Sequence, residues 1–461
     1  MILAPVFATL LGIALGYDRL LPRNKRELTG SGVILSVALL LLTIRVWAHS
    51  PGQAAQLGAL FAAGYVCWML RQLLLPIPVS ALMTLSQLLV WTLFTTGAWN
   101  LWRSPFPLNC LLIASWGTAL FWLEWTLLPL WGTAQNFSCS TPSNKQFISW
   151  FGTAGGTWSS ILLAAGAATV FNLSVGKVVG SSDSLSIVLL WTVGFLILGA
   201  ILESLFLCRK SPQTLRVATF GWAGIQMDGR TELPTEFQNA AREASEKGAR
   251  LLVTPEAAIH VQDRTHFRVA ICTLALRYNL ALAIGYFDQS RNENCIDFVT
   301  ANGEVVGRYV KTHLVPVFER YTRGKGEIAL MDVDGVKVGG IICQDDNFPD
   351  IARKYAKAGV QLLVVPTNDW KLIRDIHFAN HLWRGLEFRF ALARAASEGI
   401  SAMTSEAGRV QKSSDHFKDG AKLLIADVQV GSGKPTLYAQ TGDWFPIACG
   451  LAALCALIWP R

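Results

Sequence analysis

The sequence lacks the motifs of several common enzyme classes. Its nine cysteines, at positions 67, 110, 139, 208, 272, 295, 343, 449 and 455, form no CxxC pair and no His/Cys cluster with metal-ligand spacing. This distribution argues against a disulfide framework and against a zinc site. There is also no Gly-rich phosphate loop, no GxSxG and no HExxH. Nucleotide-binding, serine-hydrolase and zinc-protease functions therefore have no support.

Charged residues are scarce in the first part of the chain. Residues 1–208 hold 14 of them (9 Lys/Arg and 5 Asp/Glu), whereas residues 209–461 hold 58 (31 and 27). The net charge of +8 divides equally between the two parts, and neither contains a basic run typical of nucleic-acid binding. The composition predicts a lipid-embedded first part, a polar domain after it and no nucleic-acid partner.

Apolar runs of membrane-spanning length occur near residues 1–17, 31–48, 54–70, 79–98, 108–131, 156–174 and 185–208, with an eighth at 445–459. No basic segment precedes the first run and no clear cleavage site follows it, so we expect a retained helix rather than a signal peptide. We therefore predict a transmembrane helical domain over residues 1–208 with about seven spans, a polar domain over 214–440 and a C-terminal transmembrane helix over 445–459.

Two features of the membrane part leave alternatives open. Glu124 lies in the middle of the fifth run, where a carboxylate is costly unless it faces a partner or a watery cavity. It is either a polar contact beside an active site or, slightly favoured, a structural hydrogen bond or neutral acid. Arg19, Arg23, Lys25 and Arg26 follow the first run, and the positive-inside rule would place the polar domain in the cytoplasm unless the first run is not a true span.

The polar part alternates strand and helix patterns. Its hairpin signals are Asn302-Gly303 and Asp334-Gly335. Strands are predicted over residues 216–222, 250–256, 280–286, 338–343 and 360–368, and helices over 236–248, 262–279 and 375–393, with another from about Pro349. This mixture predicts a layered α/β domain with a mixed sheet.

Three residues at element ends have the chemistry of acyl transfer. Cys343 ends a buried strand next to a helix start, where a thiol is both held and exposed. A thiol needs a base, which Glu256 at another strand end can supply, and the oxyanion needs a cation such as Lys311. Each residue also has a structural explanation: a small core thiol, a helix N-terminal charge and a solvated lysine. Their joint occurrence favours a nucleophilic site.

The segments around these residues resemble known motifs. Thr254-Pro-Glu-Ala-Ala-Ile259, Arg308-Tyr-Val-Lys-Thr-His-Leu-Val-Pro316 and Ile342-Cys-Gln-Asp345 are similar to the Glu, Lys and Cys motifs of the nitrilase superfamily. They resemble more closely those of the apolipoprotein N-acyltransferases, its membrane-embedded branch. Asn368-Asp-Trp370, the segment 438–444 and the Leu-Glu of the fifth run add to the similarity.

The resemblance implies a nitrilase-type αββα sandwich attached to a multi-pass helical membrane domain. It implies that Cys343 is the acyl-carrying nucleophile, Glu256 the general base, and Lys311 the oxyanion stabiliser. The backbone N–H of Gln344 would assist Lys311. The supporting residues would be Glu319, which matches a second essential glutamate that orients the site, and Asp345. Candidate substrate contacts are Trp370 and Glu124.

The reaction implied by the resemblance is a two-step acyl transfer without a metal or cofactor. Cys343 would take an acyl chain from a phospholipid as a thioester and pass it to the α-amine of a diacylglyceryl-cysteine lipoprotein. The location would be the bacterial cytoplasmic membrane, with the catalytic domain on its outer face. Gln344-Asp345 stands where the family usually has Tyr-Glu. A membrane-bound nitrilase or amidase-type hydrolase, a conjugal-transfer-associated nitrilase-like protein and a non-enzymatic scaffold are the alternatives.

Overall fold

The computed structural model divides the chain into two compact units. One comprises Met1–Cys208 with Thr441–Arg461, and the other Arg209–Gln440. The structure describes residues 3–20, 23–73, 77–128, 145–174, 213–222 and 233–459, with a few positions between 193 and 204.

The first unit is helical throughout its described main segments. Its helices are α1 (Leu3–Leu20), α2 (Arg23–Trp47), α3 (Pro51–Leu73), α4 (Ile77–Leu101), α5 (Leu108–Leu127) and α6 (Lys145–Ser174), with a C-terminal helix at Trp444–Ile458. Three of the described helices are long and apolar enough to cross a membrane: Ile77–Leu101, Leu108–Leu127 and Lys145–Asn172. Leu3–Leu15, Val33–Trp47 and Trp444–Ile458 are shorter apolar helices. The predicted run at 185–208 lies mostly outside the described residues.

The fifth predicted run is shorter than expected. Helix α5 ends at Leu127 instead of continuing to residue 131, and the N–H of Leu128 closes it on the carbonyl of Glu124. Glu124 therefore lies in the last turn of its helix, so the prediction that it sits at mid-span is wrong. The sequence remains apolar past Leu127, in Leu128, Pro129 and Leu130, so the end of the helix could not be predicted from composition.

The second unit contains two mixed β-sheets. The first has the strand order β13-β1-β2-β4-β5-β6, with β3 also paired to β4, and the second has the order β12-β11-β10-β9-β8-β7. The strands are β1 (Thr214–Gly221), β2 (Leu251–Val253), β3 (Ile259–Val261), β4 (Ala281–Asp288), β5 (Glu293–Val299), β6 (Val305–Val310), β7 (Leu330–Val333), β8 (Val336–Gly340), β9 (Leu362–Thr367), β10 (Ala391–Ala396), β11 (Ile400–Thr404), β12 (Val410–Asp415) and β13 (Lys422–Gln429).

Helices cover the outer faces of these sheets. They are α7 (Thr235–Glu246), α8 (Arg264–Tyr278), α9 (Pro349–Lys357), α10 (Arg374–Phe388) and α11 (His416–Asp419), with α12 at Leu437–Thr441. One apolar cluster joins the inner faces of the two sheets, where Ile296 and Phe298 meet Val338 and Val364. A second cluster joins the first sheet to α7 and α8 through Phe237 and Ile271. The predicted αββα layering is confirmed.

Local sequence signals explain most element ends. Asn302-Gly303 and Asp334-Gly335 form the turns of two antiparallel pairs, β5–β6 and β7–β8, as predicted. Helix α8 begins at Asp263, whose side chain accepts from the N–H groups of Thr265 and His266.

One helix end was predicted wrongly. Helix α10 ends at Phe388 rather than at 393, because Arg389 takes a left-handed conformation with φ 54°. The residues that follow, Ala391–Ala396, form β10 parallel to β9 inside the second sheet. The helix-like spacing of residues 389–393 does not predict that Arg389, which is not a glycine, takes a left-handed conformation.

Candidate active site

Glu256 is held by a tight turn after β2. The N–H of Thr254 donates to Ala283 in β4, and the N–H of Gly285 donates to Oγ1 of Thr254 at 3.0 Å. A Cβ on residue 285 would lie 2.1 Å from the carbonyl oxygen of Pro255, so only glycine permits this approach. Glu256 is 5% exposed. The turn therefore fixes a buried carboxylate at the end of the first sheet.

Lys311 follows β6 and lies between two carboxylates. Its Nζ is 2.6 Å from Oε1 of Glu256 and 2.7 Å from Oε1 of Glu319. The second oxygen of Glu319 accepts from the N–H of Val315 at 2.8 Å, and Asn294 Nδ2 donates to Oε1 of Glu256 at 2.8 Å. The structure thus brings together three of the sequence-predicted residues and adds Asn294, which sequence reasoning missed.

The carboxylates around Lys311 determine its protonation state. Burial alone would lower the pKa of Lys311, but the charge of Glu256 first, with that of Glu319, holds that pKa well above its usual range. Burial raises the pKa of Glu319, and the neighbouring charge of Glu256 adds to this effect. Lys311 therefore remains an ammonium group.

Cys343 opens a 3-10 turn rather than ending a strand. Strand β8 stops at Gly340, and Cys343–Asn347 form the turn, with Cys343 at φ 45°. Its thiol is buried and points to the carbonyl of Asn368 at an Sγ–O distance of 3.7 Å. Burial, together with the charge of Glu256, raises the pKa of the thiol well above its usual range. A resting neutral thiol needs a base before it can attack.

Asp345 ties the turn to the Lys311 loop. Its Oδ1 accepts from the N–H groups of Thr312 and His313 at 3.2 and 2.7 Å, and faces the ring Nδ1 of His313 at 2.9 Å. Its Oδ2 accepts from the hydroxyl of Tyr309 at 2.8 Å and from the N–H of Ile342 at 3.1 Å. A fully buried carboxylate thus joins the segments that carry Cys343 and Lys311.

His313 is charged by this arrangement. It lies between Asp345 and Asp350, whose Oδ2 is 3.3 Å from the ring Nε2, and its ring stacks on Phe348. Although burial lowers it, hydrogen bonds to the two carboxylates raise the pKa of His313 to about 9. The imidazolium is therefore the ordinary state at neutral pH.

A second buried network, not anticipated from the sequence, lies behind the Cys343 turn. Nδ1 of His377 is 2.5 Å from Oδ1 of Asp369, and Nε2 of His377 is 3.1 Å from the carbonyl oxygen of Cys343. Arg394 donates from Nη2 to Oδ2 of Asp369 at 2.6 Å. All three side chains are at least 96% buried. The only sequence signal was a pair of histidines four residues apart, at 377 and 381, in an otherwise amphipathic helix.

Cys343, Asp369 and His377 also form a donor cluster of metal-ligating composition, with their ligand atoms within 4.8 Å of one another. A metal-bound imidazole must offer a nitrogen lone pair. Both ring nitrogens of His377 already face oxygen acceptors. The arrangement fits a hydrogen-bonded network better than a metal site.

The remaining predicted residues lie in different surroundings. Gln344 is buried, and its side chain accepts from Asn347 at 2.8 Å. Trp370 contacts Phe318, with ring centroids 5.9 Å apart. Glu124 belongs to the first unit, where its Oε1 accepts from Gln87 at 2.6 Å. Its predicted role as a substrate contact stays a prediction.

Comparison with known proteins finds a family match within the second unit. The model of the carbon-nitrogen hydrolase family matches residues 225–437, somewhat less than half of the chain. This part of the chain is similar to the carbon-nitrogen hydrolases. The predicted resemblance to the nitrilase superfamily is confirmed. The turn of Glu256, the Lys311 loop and the Cys343 turn all lie within this domain.

Curated relatives include an N-acyltransferase and a citrullinase. The chain is 28% identical over 258 residues to the apolipoprotein N-acyltransferase of Geobacter metallireducens, which is 49% of this chain and 49% of that protein. It is 28% identical over 249 residues to the citrullinase of Francisella tularensis, covering 46% of this chain and 84% of that protein. The match thus spans about half the length of the first of these relatives.

Among solved structures, an amidase from Nesterenkonia sp. AN1 is 21% identical with a TM-score of 0.43, covering 50% of this chain and 94% of that chain.

Proposed function

We propose that the protein transfers a fatty acyl chain from a phospholipid to the N-terminal amine of a diacylglyceryl-cysteine lipoprotein. The observation that carries this proposal is the buried Lys311 ammonium held between Glu256 and Glu319, in a domain whose relatives include apolipoprotein N-acyltransferases. Three helices of membrane-spanning length in the first unit support a lipid substrate.

In the first step, Glu256 removes the proton of the Cys343 thiol. The thiolate attacks the carbonyl carbon of the phospholipid ester, and the C–O bond breaks to release a lysophospholipid, whose oxygen takes the proton. Lys311, together with the backbone N–H of Gln344, stabilises the oxyanion of the tetrahedral intermediate. The raised pKa of Cys343 keeps the thiol protonated until the base acts, which limits side reactions in the resting state.

In the second step, the α-amine of the acceptor attacks the thioester carbonyl. The C–S bond breaks, an amide forms, and the amine proton passes through Glu256 to restore the thiol. The same oxyanion donors serve both steps. Trp370 and Phe318, which contact each other, are the candidate surface for the incoming substrates.

The second candidate function is a carbon-nitrogen hydrolase in which water replaces the amine. The similarity over 84% of the length of a citrullinase favours it. The two functions share the acylated Cys343. They differ in the bond that breaks to form it, an amide C–N bond or an ester C–O bond, and in the acceptor, water or an amine.

The test is to incubate purified protein with phospholipid and weigh Cys343 peptides by mass spectrometry, with Cys343→Ala as the control. An acyl adduct that is discharged by a lipopeptide with a free α-amine, and not by its N-acetylated form, supports the acyltransferase. An adduct discharged by water supports the hydrolase. Wild-type protein that acquires no adduct, with Cys343→Ala retaining cellular activity, overturns both.

Orientation in the bacterial cytoplasmic membrane belongs to the same proposal. An extracytoplasmic catalytic domain fits lipoprotein acceptors, whereas the basic residues after the first helix favour the opposite side. A reporter fused after Arg461 shows on which side of the membrane the C-terminus lies. A cytoplasmic C-terminus is required if the catalytic domain faces outward.

A further inference from the structure

The peptide group between Cys343 and Gln344 has two ends with different partners. Its N–H belongs to Gln344, the proposed oxyanion donor. Its carbonyl oxygen is 3.1 Å from Nε2 of His377. A hydrogen bond accepted by a peptide oxygen polarises the whole peptide and makes its N–H a stronger donor. His377 therefore acts on the oxyanion site without touching the reacting atoms.

Geometry assigns the protons of His377. Because Nε2 faces a carbonyl oxygen, it must carry a hydrogen. Nδ1 lies 2.5 Å from a carboxylate oxygen of Asp369, a distance that requires a proton between the two atoms. His377 therefore donates a hydrogen bond from Nε2 to the carbonyl oxygen of Cys343.

The network behind the ring of His377 holds the ring in place. Arg394 donates to the other oxygen of Asp369 at 2.6 Å. Although burial raises it, the charges of His377 and Arg394 hold the pKa of the Asp369 carboxyl below its usual range. A carboxylate that stays ionised in the interior anchors the ring at Nδ1 and fixes the direction of its Nε2–H.

The backbone at Cys343 gives this bond a second effect. A non-glycine residue at φ 45° occupies a sparsely populated conformation that surrounding contacts must hold. The bond from His377 fixes the carbonyl of that residue, and Asp345 fixes the N–H of Ile342 before it. The turn is thus tied on both sides of the nucleophile.

We infer that His377, anchored by Asp369 and Arg394, is a positioning residue that orients and polarises the Cys343–Gln344 peptide for oxyanion stabilisation. This inference rests on the proposed function for the identity of the oxyanion donor. It does not depend on which acyl donor or acceptor the enzyme uses.

Two reactions of Cys343 separate this role from a structural one. Acylation by p-nitrophenyl butyrate forms a tetrahedral oxyanion before nitrophenolate leaves, whereas alkylation by iodoacetamide displaces iodide without an oxyanion. Pre-steady-state release of nitrophenolate from the full-length protein in detergent measures the first reaction. Mass spectrometry of the Cys343 peptide measures the second.

The chain offers a matched control. His381 lies one turn further along α10, is fully buried, and pairs through Nδ1 with Asp346 at 2.9 Å. In both histidines, Asn can replace the Nδ1–H donor to the carboxylate but cannot reach the Nε2 position. His377→Asn therefore removes the hydrogen bond to Cys343. His381→Asn is the same substitution in the same helix, but it leaves that hydrogen bond in place.

We expect His377→Asn to slow acylation about tenfold, less than the hundredfold or more lost when an oxyanion donor itself is removed. His377→Gln, whose amide N–H reaches the Nε2 position, restores most of the rate. His381→Asn acylates at nearly the wild-type rate. The rate of alkylation by iodoacetamide stays within about twofold of the wild-type rate in all three variants. His377→Met, which keeps volume and has no donor, replaces the asparagine variant if that variant does not fold.

Three results overturn the inference: wild-type acylation in His377→Asn, an equal fall in alkylation, or an equal loss in His381→Asn. Wild-type protein that reacts with the ester but never with phospholipid overturns the phospholipid donor alone and leaves the role of His377 standing. Wild-type protein that releases no nitrophenolate overturns both.

Discussion

Replacing Asp345 with asparagine tests how the carboxylate holds the nucleophile turn. The carboxylate accepts from three backbone N–H groups, those of Thr312, His313 and Ile342, and from the hydroxyl of Tyr309. An asparagine side chain has one oxygen. If that oxygen faces Thr312 and His313, only the N–H of Ile342 loses its acceptor, because the Tyr309 hydroxyl can turn and accept from the new amide.

The opposite orientation of the amide leaves two backbone N–H groups without acceptors and is disfavoured. A buried donor without an acceptor costs about 1–3 kcal/mol. Since about 1.4 kcal/mol corresponds to a factor of ten, the amide of Ile342 should exchange with solvent roughly ten- to a hundredfold faster in Asp345→Asn. The amides of Thr312 and His313 should change much less. Asp345→Ala should accelerate all three.

Hydrogen-exchange mass spectrometry with fragmentation that resolves single amides measures these rates. Asp297→Asn is the matched control, because Asp297 is also fully buried but accepts from side chains of Arg268 and Tyr286. It should destabilise the domain without a selective change at Ile342. An Ile342 amide that exchanges at the wild-type rate in Asp345→Asn would refute the role given to this carboxylate.

Three further predictions concern other charged groups. Glu256→Gln should slow acyl-adduct formation on Cys343 at least a hundredfold, as measured by mass spectrometry, because the thiol loses its base; an unchanged rate assigns the base elsewhere. The pKa of His313 is about 9, above the unfolded value near 6.5, so its stabilisation of about 3 kcal/mol at most is complete below pH 6.5 and is lost as pH rises through 9. The rate of thermal inactivation should rise between pH 6 and 10 as this stabilisation is lost, and the rise should be smaller in His313→Gln. Identical pH profiles for the wild type and this variant would contradict the prediction. Glu124→Gln should keep both thermal stability and activity, whereas Glu124→Leu should lose stability by orphaning the Gln87 amide; a Glu124→Gln variant that is stable but inactive would instead support substrate contact.

The sequence was sufficient for features encoded by local chemistry. The Asn-Gly and Asp-Gly turns and the strand-helix alternation follow from turn propensity and periodicity, and the association of Glu256 with Lys311 was implied by the resemblance of their motifs to those of the nitrilase superfamily. The backbone of Cys343 did not follow, because an apolar run into a thiol predicts a strand, and its φ of 45° is imposed by contacts from distant segments. His377 was missed for the same reason: its partners, Asp369 and Cys343, are brought to it only by the tertiary fold.

The two sheets contribute different halves of the candidate chemistry. Glu256 and Lys311 follow strands of the first sheet, and Cys343 follows a strand of the second. Gly340 is the last residue of β8 in the second sheet, and a Cβ there would come within 2.7 Å of Val364 in the same sheet and 3.0 Å of Phe298 in the first. The spacing between base and nucleophile is therefore set by the thickness of the apolar layer. A substitution that adds one methyl group to this layer would push the two sheets apart and lengthen the distance between base and nucleophile. It would slow the reaction although every reacting residue was still present.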